Sequence, residues 1–264
     1  MKMRSLALSV LASFVLITSC KKDSKVEEVT VNNDPELLGP QASKVVHYSF
    51  NGSLTDGSGN NLTATNTQNN LTYVADRFGR ANQSASFPGG EPAVWVFTPS
   101  INDRITGFPF SISLWLKTTN ASYNQTLVKS DGGEGGSYSG YWLQMGVGGS
   151  GTMSFSFGDN TGTSGASRNT ITTPAVFSEN TWYHVVVNVR GANDMDFYIN
   201  GVKNESCSYS GDATTMVYHP TLHGGSIGLY PGAASNFSGL LDDYRVYSKV
   251  LSATEISTLY NFHP

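Results

Sequence analysis

Cysteine is scarce in this 264-residue chain, which contains only Cys20 and Cys207. Cys20 closes an apolar segment at the N terminus, so Cys207 has no cysteine to pair with inside a folded domain. We therefore predict no intrachain disulfide. The fold must be stabilised by its hydrophobic core, and the length suits one all-β domain with a sizeable core.

Charged side chains are also few, at 14% of the residues, and the formal net charge is −4. Proteins that bind nucleic acids carry clustered basic residues on one face or along one helix. Neither the net charge nor the distribution of Lys and Arg fits that class. We expect no nucleic-acid partner.

Long hydrophobic runs are missing apart from residues 6–17, which follow Lys2 and Arg4 and end in Ile17-Thr18-Ser19-Cys20. The run is too short for a comfortable transmembrane helix. Its ending is typical of a lipoprotein signal, so we predict a signal peptide over 1–19 and lipidation of Cys20. A plain cleaved signal is the alternative. Cleavage before Cys20 removes two positive charges and shifts the formal charge from −4 to −6.

The charged, polar stretch that follows has no apolar period, and residues 20–43 are therefore predicted to be a flexible tether. Only the lipid would hold the protein at a membrane, either on the cell surface or outer membrane or facing the periplasm. We expect residues 44–264 to form the folded domain and the protein to be a monomer.

From Val45 onward, short apolar-polar runs alternate with clusters of Gly, Asn, Ser and Thr. This pattern favours an all-β sandwich or jelly roll of many short strands. Asn200-Gly201 predicts a tight hairpin. Near the end, Ser252 and Glu255 form a capping box that predicts one short C-terminal helix packed on the sandwich. The predicted strands are 45–50, 83–87, 93–98, 110–117, 125–129, 140–146, 152–158, 182–190, 195–200, 226–230 and 238–247.

Two aspartates, Asp242 and Asp243, stand side by side in the last predicted strand. Neighbouring residues of a strand point to opposite faces, so one carboxylate must lie among apolar side chains. A buried carboxylate needs a cation or several hydrogen-bond donors. The candidates are an ion, Arg245 or backbone N–H groups.

Several segments, in this order, resemble one family. They are 47–52 (His-Tyr-Ser-Phe-Asn-Gly), 56–60 (Asp-Gly-Ser-Gly-Asn), 77–81 (Arg-Phe-Gly-Arg-Ala), 110–117 (Phe-Ser-Ile-Ser-Leu-Trp-Leu-Lys), 180–187 (Asn-Thr-Trp-Tyr-His-Val-Val-Val), 197–201 (Phe-Tyr-Ile-Asn-Gly) and 239–247 (Gly-Leu-Leu-Asp-Asp-Tyr-Arg-Val-Tyr). The set is similar to bacterial laminin G-like domains, near the pentraxins, in the concanavalin A-like lectin/glucanase superfamily. The resemblance covers nearly all of 43–264. It implies two curved antiparallel sheets with one concave face.

The resemblance also implies a structural calcium ion between the first and last strands. Asp242 would be the carboxylate ligand from the last strand, and Asp56 and Asn60 would supply oxygens from the first loop, where oxygens alternate as in other calcium loops. Asp243 would then point to the other face, where a basic residue is a candidate partner. The alternative is that Asp56 and Asn60 only shape a turn.

Alternation along the strands assigns a polar-aromatic face opposite the core. If these strands are neighbours in the concave sheet, the face suits a sugar, which stacks on aromatic rings and needs directional donors and acceptors. Trp115 and Trp182 could instead pack under loops. Tyr138, Tyr141 and Tyr230, in or beside Gly-rich loops, are further aromatic candidates. The predicted ligand-binding residues are Trp142, which is preferred for stacking, and Trp115, Gln144, His184, Asn188, Arg190 and Tyr198.

Catalytic motifs of related jelly rolls are not found in the sequence. Laminarinase-type enzymes place paired carboxylates in a Glu-x-Asp-x-x-Glu strand, and alginate lyase-like folds use Arg-x-Glu and Gln-x-His strands. None of these runs occurs here. We therefore predict a tethered, non-catalytic carbohydrate-binding lipoprotein. A protein-interaction or adhesion module is the alternative, and an atypical hydrolase or lyase is a remote third.

Overall fold

The computed structural model describes residues 38–90, 93–122, 124–131, 137–229 and 235–263. The predicted signal peptide, Cys20 and residues 20–37 of the predicted tether lie outside these ranges, as does Tyr230. Lipidation and tethering therefore stay predictions. Within the described ranges, no helix combines the length and the apolar character needed to cross a bilayer.

Among the described residues, fifteen strands form two antiparallel sheets. The first sheet contains β1 (Lys44–Tyr48), β2 (Thr72–Val74), β3 (Ser84–Pro88), β5 (Phe110–Thr118), β10 (Tyr183–Gly191), β11 (Asp194–Ile199), β12 (Val202–Lys203) and β15 (Ser238–Tyr247). The second contains β4 (Val96–Thr98), β6 (Gln125–Lys129), β7 (Tyr141–Met145), β8 (Met153–Gly158), β9 (Arg168–Thr172), β13 (Ser208–Gly211) and β14 (Gly225–Ile227).

The main core lies between the sheets and follows the alternation of the strands. Phe110, Ile112 and Leu114 of β5 are fully buried and face the second sheet. There Phe110 meets Tyr141 of β7, with ring centroids 5.2 Å apart. The predicted jelly-roll sandwich is confirmed, since two antiparallel sheets pack around a shared apolar core.

The predicted hairpin is also confirmed. Asn200 and Gly201 connect β11 to β12, and both have positive φ values, of 51° and 79°. A two-residue turn of this kind needs positive φ at both positions, which Asn and Gly tolerate best.

The C-terminal helix α1 (Ala253–Tyr260) begins at the predicted capping box of Ser252 and Glu255. Ile256 and Leu259 form a second, smaller apolar cluster with Val186 and Tyr247 on the outer face of the first sheet. Leu38 packs against the same cluster. The packed part of the chain thus extends at least to Leu38, several residues into the predicted tether.

Four observed strands are missing from the predicted list, namely β2, β9, β12 and β13, although β12 is the return strand of the predicted Asn200-Gly201 hairpin. β13 has four exposed residues, and β9 turns two threonines outward, so neither has the apolar content that marks a strand in sequence. Each pairs at or near an edge of its sheet. These strands are formed by backbone hydrogen bonds to a neighbouring strand and not by the burial of their own side chains.

Candidate functional site

The predicted groove residues do not share one sheet. Trp115 lies on β5 and His184 on β10, in the first sheet, whereas Trp142 and Gln144 lie on β7, in the second. The outward faces of the two sheets point away from the common core. The assumption that these strands are neighbours is therefore wrong, and the two halves of the predicted site must be considered separately.

The half on the first sheet is covered by α1. Trp115 is 8% exposed and stacks on Tyr260 with ring centroids 5.7 Å apart. His184 is buried beside it and contacts Ser113 Oγ at 3.0 Å. Asn188 Nδ2 donates to the Leu251 carbonyl at 2.8 Å. The prediction that Trp115, His184 and Asn188 line an open groove is wrong, because they anchor the segment that leads into the helix and the helix itself.

Arg190 and Tyr198 have local roles at the edge of the same face. Arg190 forms ion pairs with Asp194 and Asp196 across the hairpin of β10 and β11. Tyr198 is half-buried and packs against the small apolar cluster under α1. Neither side chain approaches Trp142.

The adjacent aspartates are explained by a β-bulge. The register of β15 against β5 shifts between Asp242 and Arg245, and Asp243 has a positive φ of 53°. A bulge interrupts the strict alternation of faces. Both carboxylates consequently reach Arg77, whose Nη1 donates to Asp242 and whose Nη2 lies 3.1 Å from Asp243 Oδ2.

Arg77 is the cation that the buried carboxylates require. Its side chain is 5% exposed, and those of Asp242 and Asp243 are 3% and 7% exposed. The guanidinium also lies over the Trp115 ring, 4.5 Å from its centroid. Asp243 binds Arg245 at 2.8 Å and His47 at 3.1 Å in addition. The suggestion that Asp243 points to the opposite face from Asp242 is wrong, whereas its pairing with a basic residue is confirmed.

Burial and neighbouring charges shift the pKa values of these groups in different directions. Burial and the neighbouring Asp243 carboxylate raise the pKa of Asp242 well above its usual range. Burial would also raise the pKa of Asp243, but Arg245, His47 and Arg77 outweigh it and lower that pKa. Burial lowers the pKa of His47 to about 4 and that of His184 to about 3. Both histidines are therefore neutral at pH 7.

The predicted calcium ligands do not fit a calcium ion. Asp56 Oδ1 accepts the N–H groups of His47 at 3.0 Å and Ser58 at 2.9 Å, and Oδ2 accepts that of Leu62 at 2.9 Å. Asp242 is bound to Arg77. Within the ranges that the structure describes, no group of three or more His, Cys, Asp or Glu side chains is arranged to hold a metal.

Asn60 has a structural role in the same loop. Its Nδ2 donates to the carbonyls of Lys44 and Val45, at 2.9 Å each, and its Oδ1 accepts from Arg104 at 3.0 Å. These bonds fasten the loop to β1. The turn-shaping alternative accounts for Asp56 and Asn60, and calcium has no part in the function proposed below.

We expect Asp56→Ala to lower the free energy of unfolding by about 2–3 kcal/mol, because three backbone N–H groups lose their acceptor. Calcium and chelator should leave the melting temperature of the unaltered protein unchanged. Thermal unfolding with 2 mM (roughly saturating for a structural site) calcium or excess EDTA measures both effects. The exposed Asp103→Ala is the matched control. A calcium-dependent rise in melting temperature that Asp56→Ala abolishes would restore the calcium site.

The outer face of the second sheet is different in character. Four adjacent strands, β6 to β9, turn small polar side chains outward, while their apolar residues enter the core. Cross-strand pairs link them: Ser154 and Thr172 hydroxyls lie 2.9 Å apart, and Ser156 and Thr170 hydroxyls 2.8 Å apart. We call this surface the hydroxyl face, defined by Thr126, Gln144, Ser154, Ser156, Thr170 and Thr172.

An aromatic and cationic stack borders the hydroxyl face. Trp142 is 3% exposed because Tyr138 lies against it, with ring centroids 5.4 Å apart. The Arg168 guanidinium lies in turn 5.1 Å from the centre of the Tyr138 ring. Trp142 is therefore the support of the stack, and the half-buried Tyr138 and Arg168 form its accessible side.

A buried ion pair lies under the same stack. Lys129 Nζ binds Asp131 Oδ1 at 2.6 Å and lies 5.5 Å from the Trp142 ring centre. The other Asp131 oxygen accepts the His219 N–H at 3.1 Å. Sequence reasoning did not single out Lys129, Asp131 or Arg168 as members of this site. The polar alternation of Ser154 and Ser156 between apolar neighbours was the signal that could have identified the face.

This architecture agrees with a family assignment. A laminin G domain model, described as the concanavalin A-like lectin/glucanases superfamily, matches residues 93–257, which is more than half of the chain. The chain belongs to this superfamily. A search of curated proteins found no match to this concanavalin A-like chain.

Solved structures of binding domains share the fold. The binding domain of Paraclostridial Mosquitocidal Protein 1 is 19% identical with a TM-score of 0.62, and the match covers 84% of this chain and 52% of that one. The botulinum neurotoxin serotype D binding domain is 16% identical with a TM-score of 0.60, at 83% and 51% coverage. This concanavalin A-like chain thus spans about half the length of these toxin domains.

A third similar structure is matched over nearly its whole length. It is domain 4 of AbnA, an extracellular GH43 arabinanase from Geobacillus stearothermophilus, solved in complex with arabinotriose. It is 18% identical with a TM-score of 0.54, and the match covers 83% of this chain and 98% of that one. At these identities the likeness establishes the concanavalin A-like fold alone.

Proposed function

We propose that this protein is a non-catalytic carbohydrate-binding protein that holds a glycan on the hydroxyl face. The observation that carries the proposal is the pairing of a hydroxyl-lined sheet face with the Trp142–Tyr138 stack at its border. Sugar hydroxyls need directional donors and acceptors, and the apolar face of a pyranose needs an aromatic ring. Both are available on neighbouring strands.

The accessible contacts lie at the rim of the face. Ser154 and Ser156 are buried, whereas Gln144 and Thr172 are half-buried and border the floor that those serines form. Gln144 Nε2 donates to Thr126 Oγ1 at 3.0 Å, which orients the amide. A glycan would therefore meet Gln144, Thr172 and Tyr138 rather than the serines. An oriented contact surface reduces the ordering cost of binding.

The state of Asp131 supports the non-catalytic part of the proposal. Glycoside hydrolysis requires two carboxylates on either side of the scissile bond. Asp131, which lies under the stack, is fully buried with its oxygens held by Lys129 and the His219 N–H. It is thus unavailable to a sugar. We further propose, from the N-terminal segment alone, that a lipid on Cys20 holds the domain on the outer membrane, at the cell surface or facing the periplasm.

Binding of the purified chain to a broad panel of polysaccharides and oligosaccharides tests the proposal. We expect at least one glycan class to bind. Gln144→Ala should weaken that binding by about two- to tenfold, since it removes one neutral hydrogen bond, and Tyr138→Ala should weaken it by at least about fivefold, since it removes a stacking surface.

Gln83→Ala is the matched control, because Gln83 lies beside β3 in the other sheet and its side-chain amide donates, among the described residues, only to the Asn82 carbonyl. It should bind like the unaltered protein. A well-folded protein that binds no glycan on the panel would overturn the proposal in favour of a protein-interaction module. Release of reducing ends from any polysaccharide would overturn its non-catalytic part.

A further inference from the structure

Arg168 brings a positive charge to the hydroxyl face. It is the first residue of β9 and shares the outward parity of Thr170 and Thr172. Across the described ranges, no carboxylate lies within ion-pair distance of its guanidinium. By contrast, Lys129 under the same stack is neutralised by Asp131. Among the described residues, the cation of this stack that has no carboxylate partner is therefore Arg168.

The Arg168 guanidinium is held in place while most of its N–H donors stay available to a ligand. It lies over the Tyr138 ring, and its Nη1 donates to the Tyr138 hydroxyl at 3.3 Å. A guanidinium carries five N–H donors in a planar fork. No other hydrogen bond to the described residues occupies the remaining donors. Such a fork matches the two oxygens of a carboxylate or related oxyanion.

Tyr138, the platform for Arg168, is fixed by its backbone. Its N–H donates to the Gly162 carbonyl and its carbonyl accepts the Asn160 N–H, both at 2.7 Å. It also crosses Gly158 so closely that a Cβ there would lie 2.2 Å from the Tyr138 carbonyl oxygen. The segment can approach β8 only because that residue is glycine. The stack is thus pre-organised before any ligand arrives, which limits the cost of binding.

We infer that the glycan held on the hydroxyl face is acidic, and that Arg168 binds an oxyanion on one of its sugars. The inference rests on the proposed function and specifies its ligand class. A sugar ring on Tyr138 would carry its anionic group to the guanidinium fork, while its hydroxyls meet Gln144 and Thr172. The oxyanion is either the carboxylate of a uronic acid or a sulfate ester, since both present oxygens to the fork.

Matched acidic and neutral probes test the inference on the purified chain. Oligogalacturonate is compared with its methyl ester, and dextran sulfate with dextran, by calorimetry or biolayer interferometry at low and moderate salt. We expect one acidic probe to bind at least about tenfold more tightly than its neutral partner, with a preference that weakens as salt increases. The pair that shows the preference identifies the carboxylate or the sulfate.

Arg168→Gln should abolish that preference, and Arg168→Lys should restore only part of it, because an ammonium lacks the fork. Arg104→Gln is the matched control, since it removes the same charge from an exposed loop and should keep the preference. Equal binding of acidic and neutral probes, or a preference that survives in folded Arg168→Gln, would overturn this inference alone. Absence of binding to every probe and to the wider glycan panel would overturn the proposed function as well.

Discussion

Arg77→Ala is expected to lower the free energy of unfolding by about 3–5 kcal/mol, because removing one partner of a buried ion pair leaves charge without compensation. Two carboxylates depend on this guanidinium, and both are almost completely buried. Arg245 and His47 would remain beside Asp243. Asp242 would lose the one cation that the described ion pairs give it.

The loss should extend beyond the ion pair. Arg77 covers the Trp115 ring, and Trp115 in turn stacks on Tyr260 of α1. Truncation would therefore open a space under the C-terminal helix and expose apolar surface there. Chemical denaturation at pH 7 measures the total change in the free energy of unfolding, and protease sensitivity near residue 260 reports on the order of the helix.

Two variants separate charge from packing. Arg77→Lys retains the charge but cannot bind two carboxylates through a planar fork. Its free energy of unfolding should therefore lie between those of Arg77→Ala and the unaltered protein. Arg190→Ala removes an ion pair of similar composition from a surface hairpin and should cost no more than about 1 kcal/mol. Equal effects of Arg77→Ala and Arg190→Ala would show that the buried cluster does not support the fold.

Local patterns were sufficient for the elements that depend on local chemistry. The hairpin at Asn200-Gly201 follows from the φ values that those two residues tolerate, and the start of α1 follows from the reciprocal bonds of Ser252 and Glu255. The inward and outward faces of β5 and β10 also follow from strand alternation. The family resemblance added the two-sheet architecture.

The site depended on long-range pairing that alternation cannot supply. Trp115 and Trp142 have the same outward pattern in sequence, yet they lie on different sheets. A helix 140 residues further along the chain covers Trp115, and no local signal at β5 indicates it. Likewise, one extra residue in the bulge of β15 brought Asp242 and Asp243 to the same arginine, which strict alternation excludes.

Lowering the pH from 7 to 5 is expected to destabilise the fold through two buried histidines. The pKa of His47 is lowered from 6.5 to about 4 and that of His184 from 6.5 to about 3, chiefly by burial. Below pH 6.5 the unfolded chain therefore binds more protons than the folded one, and stability falls as the pH falls. At 1.36 kcal/mol per pH unit, each histidine contributes a loss of about 2 kcal/mol by pH 5.

The aspartates act differently in this range. The lowered pKa of Asp243 contributes stability that is lost only as the pH falls below about 4, outside the window. The raised pKa of Asp242 has the opposite sign, because its protonation in the folded state offsets part of the loss. The expected net loss between pH 7 and pH 5 is therefore on the order of 2–4 kcal/mol.

Urea unfolding at closely spaced pH values between 7 and 5 measures the slope of the free energy of unfolding against pH. His184→Gln is expected to be less stable than the unaltered protein at pH 7, because the buried ring is lost, yet to show about half the slope. His47→Gln should flatten the slope in the same way, which guards against one variant failing to fold. His223→Gln, at an exposed position, should keep the full slope. If all four proteins lose stability in parallel, the acid sensitivity does not come from the two buried histidines.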